Sequence, residues 1–222
     1  MNKYEKHFFL NLCSPIPSSI NKDLLKYCTP EVLGQLFQNR LHGIGYYKLC
    51  EQNLLNETNM YFANSLKNGY SQNLIINENY FACIKYLCNI LNDTSYNYVF
   101  MPESYLWSAY PEGCRIENTV QILIPFDKTP YIDELLIRNG FDNINNPKMS
   151  ITEFQHKKLI YFKKINLPSI KYLKLEIVCT FQNCINSSYI ISNMLNSSIL
   201  YGIKNINIKI PNSLDEFIIL CK

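Results

Sequence analysis

Apolar residues in the first 92 positions recur at helical spacing. Leu33, Leu36, Phe37, Leu41 and Ile44 lie three and four apart with Arg40 among them, and Phe81, Ile84, Leu87, Cys88 and Leu91 repeat the interval, the signature of amphipathic helices that each bury one face. Thr29-Pro30-Glu31 supplies a helix start, with Thr29 as N-cap and Pro30 at the first helical position. The run Phe8, Phe9, Leu10 and Leu12 behind Lys3 and Lys6 is too short for a signal-peptide core or a membrane span. Asn11 interrupts it and no small-residue cleavage site follows, so it reads as the first core helix. Together these segments predict a helical bundle over residues 1–93.

Beyond Asp93 the apolar period shortens and β-branched and aromatic residues take over. Residues 98–101 and 119–124 read as strands, the second stopped by Pro125. Residues 129–139 read as a helix with Pro130 in its first turn and Gly140 at its C-terminal cap. Residues 151–154 and 159–163 suggest a hairpin, 172–181 a further strand and 188–200 a last helix. The expected fold class is α+β, a helical region (1–93) followed by a mixed β-sheet flanked by helices (94–222).

Composition narrows the chemistry. With 222 residues, 47% of them apolar, the chain has the material for a real core. A formal charge of +3 from 21 basic and 18 acidic residues gives no surplus that would draw nucleic acid as the main partner. Nine cysteines, with spacings such as Cys83 to Cys88 and Cys179 to Cys184, fit neither a zinc ribbon nor a disulfide framework, which points to reduced, buried thiols in a cytoplasmic protein. Cys114 stands beside Arg115, which would lower its pKa, but the sequence shows no partner for it, so an inert thiol is the expectation there too. His7, His42 and His156 are too far apart for metal-ligand spacing, and His42 reads as a packed helix residue. Seven glycines form no phosphate cradle of the P-loop or dinucleotide type. Most of the 17 tyrosines and 12 phenylalanines fall at core spacing. Tyr46, Tyr47, Tyr96 and Tyr98 are the exceptions, flanking the groove expected between the helical half and the sheet, where a peptide or base could stack.

Residues 98–141, YVFMPESYLWSAYPEGCRIENTVQILIPFDKTPYIDELLIRNGF, carry Tyr110-Pro111, Arg115, Pro125 and Gly140-Phe141 at intervals that resemble the bacterial nucleotidyltransferase-like family of the polymerase-β nucleotidyltransferase superfamily. RLHGIGYYKL (40–49) resembles the helix that precedes that domain. KLEIVCTF (174–181) resembles the strand bearing its third carboxylate, and IKIPNSLDEFIILCK (208–222) the segment leading into its C-terminal helices, a region the chain is expected to lack. The resemblance implies a nucleotidyltransferase-like sheet in the second half. It also implies an active-site triad at Thr119, Gln121 and Glu176, where relatives carry an Asp-x-Asp pair and a third acid.

The departures fall on the chemistry. Thr119 and Gln121 are two apart and share a strand face, but neither brings the negative charge that Mg²⁺ needs beside substrate phosphates. The family's Lys-Gly is Pro102-Glu103 here, the glycine before the first aspartate is Asn118, and a histidine often found after the third acid is Val178. The expectation is therefore a degenerate, non-catalytic relative that acts as a binding or scaffold subunit for a peptide or protein partner. It needs no cofactor and no metal, and its ligand contacts would come from Arg115, Glu103, Glu117 and Tyr98. Glu176 either remains a lone ligand or pairs with Arg115. Two alternatives stay open. In one, the chain is an active Mg²⁺-dependent nucleotidyltransferase with a rearranged or partner-completed site built on Glu176, Glu117 and Glu103. In the other it is an antitoxin- or immunity-like partner protein, with self-association or a second chain covering an exposed apolar face.

Overall fold

The computed structural model describes residues 1–14, 19–92, 94, 96–144, 158–181 and 186–220. The fold is mixed α+β, with a five-stranded mixed sheet and a separate two-stranded one. Two compact units are distinguished, residues 1–78 with 107–116, and residues 79–106 with 117–222.

The first unit is helical. Helix α1 (Lys3–Cys13) opens with a capping box, Asn2 accepting from the Tyr4 and Glu5 amides while Glu5 Oε2 accepts from Asn2 N at 2.6 Å. Thr29 caps α2 (Pro30–Gln38) through Val32 N, and its hydroxyl donates to Glu5 Oε1 at 3.0 Å, tying the two helix starts together. The apolar spacing across 33–44 spans two helices: α2 ends at Gln38, Arg40 takes the left-handed conformation at φ 58°, and α3 (His42–Glu51) begins two residues later. The buried Lys48 of α3 donates to the carbonyls of Asn11 and Ser14 at 2.8 and 3.0 Å, satisfying acceptors that the end of α1 leaves open. Phe8, Leu12, Val32, Leu36, Leu49, Phe62 and Leu66 form the core between these helices and the first half of α4 (Met60–Asn92).

The second unit is built on a sheet ordered β1-β2-β5-β4-β3: β1 (Val99–Phe100), β2 (Thr119–Leu123), β3 (Asp142–Asn143), β4 (Leu159–Lys164) and β5 (Tyr172–Val178). Only β2 and β5 run parallel. One face carries Val120, Ile122, Leu159, Tyr161, Leu175 and Ile177, all of them buried. The other is divided along its length. At one end Val99, Leu123 and Val178 pack under Ile191, Met194 and Leu195 of α7 (Ser187–Asn196). At the other end Thr119, Gln121, Lys174 and Glu176 share the face. Helix α6 (Thr129–Arg138) ends where expected, with Gly140 at φ 75° and the Phe141 amide returning to Leu136 O. Asp133 on α6 accepts from Tyr161 Oη at 2.8 Å and Asn143 Nδ2 at 2.7 Å, which locks the helix to the sheet.

The C-terminal stretch differs from expectation. The helix predicted over 188–200 ends at Asn196, and Ile199–Ile203 forms strand β6, hairpinned to β7 (Ile206–Ile210) through a turn in which Lys204 sits at φ 51°. A β-branched and aromatic run two residues past a serine-rich helix end outweighs helical spacing there. Helix α8 (Ser213–Leu220) follows. Of the hairpin expected from 151–154 and 159–163, the first arm lies outside the described residues. The second is β4, which pairs with β3 and β5. No described helix is long and apolar enough to cross a membrane.

Candidate functional site

The parallel ladder sets Gln121 opposite Glu176 and Thr119 opposite Lys174. Gln121 Nε2 donates to Glu176 Oε2 at 2.8 Å, so the two buried side chains satisfy one another across the strands. Lys158 Nζ reaches the same oxygen at 3.1 Å, and Lys174 Nζ reaches Oε1 at 2.6 Å. Both carboxylate oxygens are thus engaged. Burial alone would raise the Glu176 pKa, but the hydrogen bonds and charges of Lys174 and Lys158 outweigh it and hold the group below its ordinary value. One carboxylate faces two ammonium groups, so the cluster attracts anions and opposes a divalent cation.

The start of β2 is fixed from behind. Ser104, on the short helix α5 (Pro102–Tyr105), receives the Gln121 amide at 2.6 Å and donates to Gln121 O at 2.8 Å. Tyr80 Oη on α4 donates to Thr119 O at 2.9 Å. Burial, then the negative charge of Glu117, pushes the Tyr80 hydroxyl well above its ordinary pKa, and Glu103 adds to the same effect. Both carboxylates are thus close enough to act on the Tyr80 hydroxyl. Glu103 Oε2 is buried with no hydrogen-bond partner among the described residues. No three His, Cys, Asp or Glu side chains converge among the described residues.

Tyr98 is almost fully buried. Its hydroxyl donates to Asn92 Oδ1 at 2.9 Å and its ring meets Phe100 edge-on, so it packs as a core residue. Arg115 belongs to the first unit, where its guanidinium lies 5.5 Å over the Tyr110 ring. Glu176 draws its charge partners from Lys158 and Lys174. The turn that carries Arg115 is held firmly. Asn73 Nδ2 donates to Gly113 O at 2.8 Å while Asn73 Oδ1 meets His42 Nε2 at 3.1 Å, and the His42 ring stacks on Phe37. Gly113 sits at φ 75°, and Gly43 approaches so closely that a Cβ on it would lie 2.0 Å from Gly113 O. His42 is thus the packed residue its helical position suggests. Cys114 is buried and its thiol is pushed up to about 11 by burial, which removes the reactive reading.

Three contributors were missed in the sequence. Lys174 carries a legible signal, since it lies two residues before Glu176 on a strand and so shares its face. Lys158 carries none, because only the antiparallel register of β4 on β5 brings it to Glu176. Ser104 is equally silent, an ordinary serine beside the glutamate that drew attention. Comparison of the chain with protein-family models, with curated proteins and with solved structures finds no match.

Proposed function

We infer that this chain is a cytoplasmic, nucleotidyltransferase-like protein without two-metal catalysis, serving as a binding or scaffold subunit for a peptide or protein partner. The observation that carries the reading is the Gln121–Glu176–Lys158–Lys174 cluster. At the strand positions where the resemblance calls for three acids, one acid remains, and both its oxygens are taken by an amide and two ammonium groups. Two-metal phosphoryl chemistry needs carboxylates free to bridge the ions, and a locally positive cluster repels them. The same charge suits an acidic group on a partner, such as a carboxylate at the end of a peptide.

A second reading draws on Glu103, whose buried Oε2 lacks a partner among the described residues, and on Glu117, which shares its influence on Tyr80. These two could serve a relocated Mg²⁺ site. Transfer of a nucleotidyl group from labelled NTP in the presence of Mg²⁺ or Mn²⁺, measured on the wild type and on Glu176→Ala, separates the readings. Our reading predicts no transfer by either protein. Transfer by the wild type that disappears in a folded Glu176→Ala protein establishes the enzyme instead.

A further inference from the structure

Between α2 and the first half of α4 runs a trough of about 490 Å³, within the range that takes a ligand. Its α2 wall carries Gly34 and Phe37. Gly34 stands in the interior of that helix, where glycine is less favourable than alanine, yet a Cβ on it would meet nothing within 4 Å. Packing within the fold gives no reason for a glycine there; the space a side chain would fill is the trough. The Phe37 ring stacks by one face on His42, with centroids 4.3 Å apart, and is still 38% exposed. Opposite it, Tyr61, Ser65, Asn68 and Gln72 follow one another along a single face of α4. Tyr61 is 67% exposed, and none of these four side chains has a hydrogen-bond partner among the described residues. No charged residue lines the trough among the described ones.

We propose that this trough binds an uncharged, proline-rich segment of a partner protein in the polyproline II conformation. The trough lies wholly within the first unit, and the inference does not rest on the reading given to the Glu176 cluster. Three properties of the walls select this occupant. Without a charge on either wall, a charged segment would lose its hydration and gain no partner. Both walls are helical, so their main chain offers no edge on which a β-strand could pair, and the hydrogen bonds to a peptide must come from side chains. Those available are the hydroxyl and amide groups of α4, which donate. A polyproline II strand presents carbonyls that make no internal hydrogen bond, and its prolines have no N–H that needs an acceptor. The third property is length. From Tyr61 to Gln72 the helix rises about 16 Å, the span of about five residues of polyproline II at 3.1 Å each. The open surfaces of Phe37 and Tyr61 then serve as the flat aromatic walls on which proline rings pack.

Titration of the ¹⁵N-labelled full chain with end-capped hexaproline, followed by amide chemical shifts, tests this against an end-capped Gly-Ser peptide of the same length, which is equally uncharged but flexible. Hexaproline is expected to shift amides within 30–37 and 61–72 and to bind at least tenfold more tightly than the Gly-Ser peptide. Two variants locate the contact. Gly34→Leu places a side chain in the open trough, and Tyr61→Ala removes an exposed ring; circular dichroism confirms that each is folded. Each is expected to weaken hexaproline binding at least tenfold. Hexaproline that binds no more tightly than the Gly-Ser peptide, shifts confined to residues outside the two segments, or a folded Gly34→Leu protein that binds as the wild type does would each overturn the proposal.

Discussion

Glu176 is the residue on which the account turns. It stands beside two lysines and a glutamine and, among the described residues, no other acid, so in this fold its charge is neutralised. Glu176→Ala should cost about 2 kcal/mol in urea unfolding: charge-assisted hydrogen bonds are worth about 1.5–3 kcal/mol each, but Lys158 and Lys174 are partly exposed and recover much of the loss by hydration. A variant as stable as the wild type would mean the cluster contributes nothing to the fold. His42 offers a second test through pH. Burial holds its pKa below the ordinary 6.5, against the hydrogen bond to Asn73 Oδ1 that raises it. The folded state therefore resists a proton that the unfolded chain accepts, and His42 contributes stability that is full above about 6.5 and is lost as pH falls through the window beneath it. Glu176 acts in the same direction at lower pH, since its lowered pKa makes stability fall as acid protonates it below the ordinary carboxylate value of 4.5. His42→Gln should flatten the first part of that decline, from 6.5 downward, and leave the second. At this scale the sequence was informative about identity and silent about company. The spacing of Thr119 and Gln121 fixed a shared face, as did that of Lys174 and Glu176, while Lys158 arrives through strand register, which no local pattern encodes.

Elements with strong local signals appear where their signals stand. Thr29-Pro30 opens α2 and Gly140 closes α6 because capping and φ preferences act within one turn. Where two local preferences compete, tertiary context decides. The apolar spacing across 33–44 is interrupted at Arg40, and 199–203 leaves the preceding helix to become β6 because β7 is available to pair with it. The turn at 110–115 shows how a local motif is held by distant residues. Its Gly113 carbonyl is fixed by Asn73, and Gly43 at the start of α3 leaves room for it. Gly43→Ala puts a methyl group 2.0 Å from that backbone oxygen, so α3 or the turn must move. Overpacking of this kind costs about 1–3 kcal/mol or more. The expected outcome in thermal unfolding is a clear fall in Tm with faster proteolysis within 107–116. An unchanged Tm would show that the close approach is not required by the fold.

For the whole molecule, the α+β class and the order of helices before sheet were legible from the change in apolar period near residue 93. The alternative functions were not separable at that level, because the residues that would carry catalysis are few and a fold does not by itself imply an activity. For the molecule as a unit, the reading we propose is a sheet without affinity for metal-bound nucleotide. Thermal unfolding with each NTP, with and without Mg²⁺ or Mn²⁺, tests this most directly. A ligand at about 100 times its Kd stabilises a fold by about 2.7 kcal/mol, a rise of several degrees in Tm for a protein of this size. No shift with any nucleotide, with or without metal, is the predicted result. A metal-dependent shift that Glu103→Gln or Glu117→Gln abolishes would contradict it and establish a working site built on those carboxylates.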